Sequence, residues 1–206
     1  MLWILVVVLS VLGGAAAIGK LTRDRKKLPP GEPLRQLGGE SRSRERTLAE
    51  LRVGDIVSMD AKDYLCEGAI NYDEDGQRWV CGRCVDDQVV KWVLVGIERT
   101  GFQSIRVLME DAEAQLAGYP PEAIVLGGVH YVLDKRGTAT CVLTGDVGGL
   151  ANLQKGRPVG HAERCRWWLY SAPGDATLVI EQWGADFRAL RGHKVGQDAL
   201  ELMQAS

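Results

Sequence analysis

From Leu51 onward, short runs rich in Val, Ile, Leu, Tyr and Trp are cut at regular intervals by clusters of Gly, Asp and Asn. Such short runs between turn residues predict strands, and no long helical period appears among them. The predicted strands are Val53 to Met59, Tyr64 to Tyr72, Arg78 to Cys84, Val89 to Glu98, Ser104 to Met109, His130 to Leu133, Thr138 to Thr144, Cys165 to Ser171, Ala176 to Gln182 and Phe187 to Arg191. Asp60-Ala61-Lys62-Asp63, Asp73-Glu74-Asp75-Gly76, Asp134-Lys135-Arg136-Gly137 and Ala172-Pro173-Gly174-Asp175 tolerate tight or positive-φ backbone, so turns of antiparallel hairpins are expected there. Only Gly196 to Gln204, with Leu200 and Met203 on one side, reads as a short terminal helix.

The N-terminus follows another rule. Leu2 to Ile18 is apolar or small throughout, broken only by Ser10, Gly13 and Gly14. As a helix it would span about 26 Å, enough to cross a bilayer. Lys20, Arg23, Arg25, Lys26 and Lys27 crowd behind it, and cations at that flank favour retention on the cytoplasmic side. A secretory signal is the rival reading, since Ala15, Ala16 and Ala17 offer small residues for cleavage, but its basic leading region is missing. The expected organisation is a transmembrane helix over 1–19, a basic Pro- and Gly-containing linker over 20–46 and a globular β-domain over 47–202 with halves at about 47–110 and 118–195. The N-terminus would lie outside a single-pass inner membrane, with the domain in the cytoplasm.

Charge sharpens this division. The stretch from Lys20 to Arg46 holds nine basic residues against four acidic ones, while the chain has 25 and 27 in all, which leaves the globular part at −7. An acidic surface without a basic stripe argues against nucleic-acid binding. Cys66, Cys81, Cys84, Cys141 and Cys165 are an odd set in a domain large enough to stand without staples, and read as reduced thiols.

A weak internal echo suggests two related halves. Trp79 and the run Trp92 to Glu98 are answered by Trp167, Trp168 and the run Leu178 to Trp183. Two pseudo-repeated antiparallel β-units, packed as a sandwich or a partly open barrel, would bury the tryptophans between them.

Leu51-Arg52-Val53-Gly54-Asp55-Ile56-Val57, Tyr64-Leu65-Cys66-Glu67-Gly68, Trp79 and the Trp92 to Glu98 strand resemble the bacterial family catalogued as domain of unknown function 4178. Gly128-Val129-His130-Tyr131, Trp167, Trp168, Tyr170 and Leu178 to Gly184 carry the likeness through the second half, over about residues 48 to 195. The resemblance implies no catalytic residue. It implies a genomic setting near membrane-associated and polyamine-synthesis proteins, which makes a polyamine a conceivable ligand for an acidic domain. Cys81-Gly82-Arg83-Cys84 departs from the family's usual acidic or aromatic strand.

That CxxC is the main candidate for chemistry. The remaining ligands of a four-ligand zinc site could come from His161 and Cys165, or from Cys66, although no second CxxC accompanies it. A redox role would need a depressed thiol pKa, and Asp86 and Asp87 oppose one. His130, His161 and His193 fall in no metal or nucleophile motif, Asp55 and Asp146 read as turn residues, and Gly145 to Gly149 lacks the Lys-Ser/Thr partner of a phosphate loop. The leading expectation is therefore a non-enzymatic interaction or scaffold module without a cofactor, held at the membrane through Leu2 to Ile18 and facing a protein partner there. The alternative is a thiol-redox or zinc protein centred on Cys81 and Cys84.

Overall fold

The computed structural model describes residues 46–98, 104–112, 114 and 118–205, so the expected anchor and nearly all of the linker lie outside the described residues. Among the described residues no helix is long and apolar enough to cross a membrane.

Eleven strands form one antiparallel sheet among the described residues: β1 (Ile56–Met59), β2 (Lys62–Glu74), β3 (Gln77–Asp86), β4 (Val89–Val95), β5 (Ile105–Glu110), β6 (Ala123–Leu126), β7 (Val129–Gly145), β8 (Ala162–Ser171), β9 (Ala176–Trp183), β10 (Asp186–Val195) and β11 (Glu201–Met203). Their order is β11-β1-β2-β3-β4-β5-β10-β9-β8-β7-β6, and an extra pairing of β2 with β7 bends the sheet back on itself. The result is one partly ringed sheet. Inside the ring, β2 to β5 and β7 to β10 each run as a four-strand meander. The meanders meet edge to edge at β2–β7 and at β5–β10.

Most turn chemistry follows the sequence reading. Asp60 and Ala61 both adopt positive φ between β1 and β2, the backbone that a two-residue hairpin needs. Asp75-Gly76 and Gly174-Asp175 do the same elsewhere.

Two expectations are corrected. Asp134 to Gly137 is not a turn: β7 runs unbroken from Val129 to Gly145, with a bulge between Leu133 and Lys135 absorbing the irregularity. Gly137 serves close approach instead, because a Cβ there would lie 2.0 Å from the Glu74 carboxylate that accepts the Thr138 backbone N–H at 2.7 Å. The terminal helix is also absent. Gln197–Ala199 makes a single 3-10 turn, and Glu201–Met203 pairs with β1. Leu200 is buried and Leu202 half-buried against the outer core, while Glu201 and Met203 are exposed, so a period of two prevails over the helical spacing.

A second bulge, between Cys66 and Gly68 in β2, sets the core. Before it, Tyr64 and Cys66 face outside the ring; beyond it, Ile70 and Tyr72 face inside. The interior core gathers Tyr72, Trp79, Trp92, Trp167 and Trp183 with Leu94, Leu108, Leu169 and Leu190, and Val147 and Leu150 join it from the β7–β8 connection. One outer core lies under Leu48, Leu51, Val57 and Leu200. The other packs Trp168, Tyr170 and Ile180 beneath the β6 side.

Both seams of the ring depend on glycine. At β2–β7, Gly68 pairs with Gly145, and a Cβ on Gly68 would sit 1.9 Å from the Asp146 carbonyl oxygen. At β5–β10, a Cβ on Gly192 would sit 2.0 Å from the Val107 carbonyl oxygen. Gly68→Ala is expected to destabilise the domain by about 2 kcal/mol or more, whereas Gly76→Ala, in open space, should cost only the positive-φ penalty of about 1 kcal/mol. Urea unfolding of the two variants measures the difference.

Candidate functional site

The most concentrated chemistry lies inside the ring. Glu181 and Arg188 stand directly opposite each other on β9 and β10, and Tyr72 reaches them from β2. The Tyr72 hydroxyl donates to Glu181 Oε1 at 2.6 Å, the Trp183 indole N–H donates to Oε2 at 3.0 Å, and Arg188 donates to Oε2 through both Nε and Nη2. The guanidinium also stacks over the Trp92 ring, 4.3 Å from its centroid. A buried ion pair is stabilised when its remaining valences are satisfied, and here the carboxylate gathers four donor contacts; on the cation an aromatic face backs the guanidinium, while Arg188 Nη1 is left without a hydrogen-bond partner among the described residues.

The titration behaviour follows from that enclosure. Burial alone would lower the Arg188 pKa, but the facing Glu181 outweighs it and keeps the guanidinium charged. Burial, reinforced by Glu181, pushes the Tyr72 hydroxyl far above its ordinary value, so it remains a donor. Tyr72 also stacks on Trp79, its register partner, with ring centroids 5.0 Å apart. Every member of the cluster is buried, and together they form a strut between the two meanders.

The cysteines occupy different faces. Cys81 and Cys84, three residues apart on an extended strand, necessarily point to opposite sides: Cys81 joins the interior core and Cys84 the outer one. Cys84 instead opposes Cys66 across β2–β3, and the two thiols donate to the Gly82 and Gly68 carbonyls respectively. Cys165 lies inside the ring with Cys141. Burial pushes the Cys81 thiol far up, and the facing Cys66 thiol together with burial does the same for Cys84.

His161 sits at the rim, its Nε2 3.4 Å from Glu163, beside a cavity of about 340 Å³ between Leu143, Leu153 and Val159. The structure therefore does not bring Cys81, Cys84, His161 and Cys165 together. Among the described residues no group of three or more His, Cys, Asp or Glu is arranged to hold a metal.

At the rims, charge pairs fasten loops. Arg83 bridges Glu67 at 2.5 Å and Asp146 at 3.1 Å, across the β2–β7 seam. Glu98 holds Arg106 at 2.9 Å and Lys194 at 3.2 Å, next to the β5–β10 seam. Asp55 is fully buried and more than a turn residue: besides the Arg52 N–H it accepts a bidentate fork from Arg46, at 2.7 and 2.9 Å, and the Ala205 N–H at 3.0 Å.

Sequence reasoning missed the Glu181–Arg188 pair, although a signal was present. Both residues interrupt apolar runs and are equidistant from the Gly184-Ala185 turn, which in a tight hairpin makes them cross-strand neighbours. The tryptophans, read as core, are buried at 79, 92, 167, 168 and 183.

Fold and site together define a solid, partly ringed antiparallel β-domain braced by an internal ion pair. The chain belongs to the family described as domain of unknown function (DUF4178), whose model matches residues 52–197. Comparison with curated proteins and with solved structures gives no match.

Arg188→Met should cost about 3–5 kcal/mol by leaving the Glu181 carboxylate buried without its cation, whereas the double change Glu181→Gln with Arg188→Met should recover most of that loss. Unfolding midpoints in urea measure both.

A pH effect follows from Asp55. Burial alone would raise its carboxyl, but the Arg46 guanidinium and the Ala205 and Arg52 N–H groups hold it below the usual carboxylate value. Its contribution is then fully present above about pH 4 and lost as pH falls through the depressed folded value. Melting temperatures recorded across that range should fall less steeply for Asp55→Asn than for the unaltered chain.

Proposed function

We propose that this protein is a non-enzymatic interaction module, tethered by Leu2 to Ile18 to the inner membrane and offering its acidic β-domain to a protein partner on the cytoplasmic side. One observation carries the reading. The ring interior is filled by tryptophans and by the Tyr72–Glu181–Arg188 strut, so recognition falls to the outer surface. The −7 balance of that domain, against a basic stretch directly behind the apolar run, supports the topology. Buried thiols held in their protonated form favour this reading over the zinc or redox one.

We also infer that the two meanders are copies of one β-unit. Each is led by a short hairpin strand, β1 or β6, into a long bulged strand, β2 or β7, and the Trp79 and Trp92 to Glu98 segments have counterparts at Trp167 and at Leu178 to Trp183.

Membrane fractionation of cells expressing the full chain tests the proposal, combined with cross-linking in intact membranes and a thiol count on the purified protein. The expected outcome is a chain that sediments with membranes, yields a discrete cross-linked protein, and shows none of its five thiols reacting before denaturation. A soluble extracytoplasmic chain beginning near Ile18, or bound zinc in stoichiometric amount, would overturn it.

A further inference from the structure

The outward flare of the sheet beyond the ring carries an apolar row that no described element covers. Registers place Met203, Ile56, Leu65 and Val85 side by side on β11, β1, β2 and β3, all on the face that continues into the ring interior. Val90, opposite Val85 on β4, ends the row by packing against the interior core. Leu65 is 45% exposed and Met203 40%, with Ile56 and Val85 half-buried between core and solvent. Four neighbouring strands thus present aliphatic side chains where a solvated sheet face would carry polar ones.

The neighbouring positions on the same face are polar and acidic. Glu201, Ser58 and Asp63 form the next row outward, with the Ser58 hydroxyl donating to Asp63 at 2.5 Å, and exposed Asp87 follows at the β3–β4 turn. The nearest cation on this face, Arg83, is already committed to Glu67 and Asp146. An apolar strip with an anionic border repels an anionic lipid surface. It complements a segment that carries aliphatic residues on one side and Lys or Arg along its edge.

We propose that this face, from Leu65 to Met203, is the docking surface for a basic amphipathic segment of a partner protein, whose aliphatic side covers Leu65, Ile56 and Met203 while its cations meet Asp63 and Glu201. The proposal rests on the interaction reading above and gives it a place and a partner chemistry. Glu201 and Met203 lie outside the family-matched residues 52–197, so one border of the surface is supplied by the C-terminal strand.

The test uses the full chain in phosphatidylcholine nanodiscs and a fluorescent 14-residue Leu/Lys peptide with leucines at helical spacing, with binding to empty nanodiscs subtracted. Anisotropy should show saturable binding that weakens with salt. Leu65→Glu and, separately, Asp63→Lys should each weaken it at least tenfold, with melting temperature and near-UV circular dichroism unchanged. Val159→Ser, on an exposed loop, should have no effect. A Leu/Glu peptide binding as well as the Leu/Lys one, or wild-type affinity in the well-folded Asp63→Lys variant, would overturn the proposal. So would a dimer in sedimentation that Leu65→Glu dissociates, because the occupant would then be a second copy. If membrane cross-linking still captures a partner with Leu65→Glu and Asp63→Lys, this surface falls while the interaction reading stands; if the unaltered chain captures none, the interaction reading itself falls.

Discussion

A ring of strands this small has to decide what fills its middle, and here the filling is organised around one carboxylate. Glu181 accepts from Tyr72 of the first meander and from Trp183 and Arg188 of the second, while Arg188 lies over Trp92 of the first. Each partner is thereby held from both halves of the sheet. Apolar packing alone would tolerate a slip of one meander against the other, because aliphatic contacts are non-directional. A shared carboxylate with four donor contacts does not, since any shift leaves a buried charge or donor unmet.

The seams obey the same logic through sterics. Where β2 meets β7, and where β10 meets β5, the backbones approach so closely that only glycine fits, at Gly68 and Gly192. The bulge beside Gly68 turns β2 from a strand whose buried side faces the outer core into one whose buried side faces the ring. Closure, inward filling and outer packing are therefore consequences of a few local backbone events. This also explains why the two thiols of the CxxC are kept apart: an extended strand passing between two cores sends one thiol to each.

Much of this was legible in the sequence, for physical reasons that differ by element. Strands such as Ala176–Trp183, a short β-branched and apolar run with turn residues at its ends, were readable because composition and punctuation agree. The strand Ala123–Leu126 was not, being four residues long and only half-buried along one side. Asp134 to Gly137 misled because the same residues that permit a turn also permit a bulge and a close carboxylate contact. The C-terminal residues misled because Leu200 and Met203 fit a helical period, while the alternation that places Leu200 and Leu202 inward depends on the distant β1. The CxxC suggested a site from spacing alone, whereas the ligand geometry depended on whether that spacing lay on a strand or a turn. The Glu181–Arg188 pair was within reach, but only by counting outward from the Gly184-Ala185 turn.

Asp55 grips Arg46 at the start of the described chain and Ala205 near its finish, with no other residue between the two contacts. The two ends of the described chain therefore meet at one residue. Mechanical tension drawn through either end is carried first by that single carboxylate and then by the narrow β1–β11 border, which can peel away strand by strand. The ring, whose strands pair with neighbours on both sides, is loaded only afterwards, so a pull at either end of the described chain spends itself at the edge before it deforms the ring.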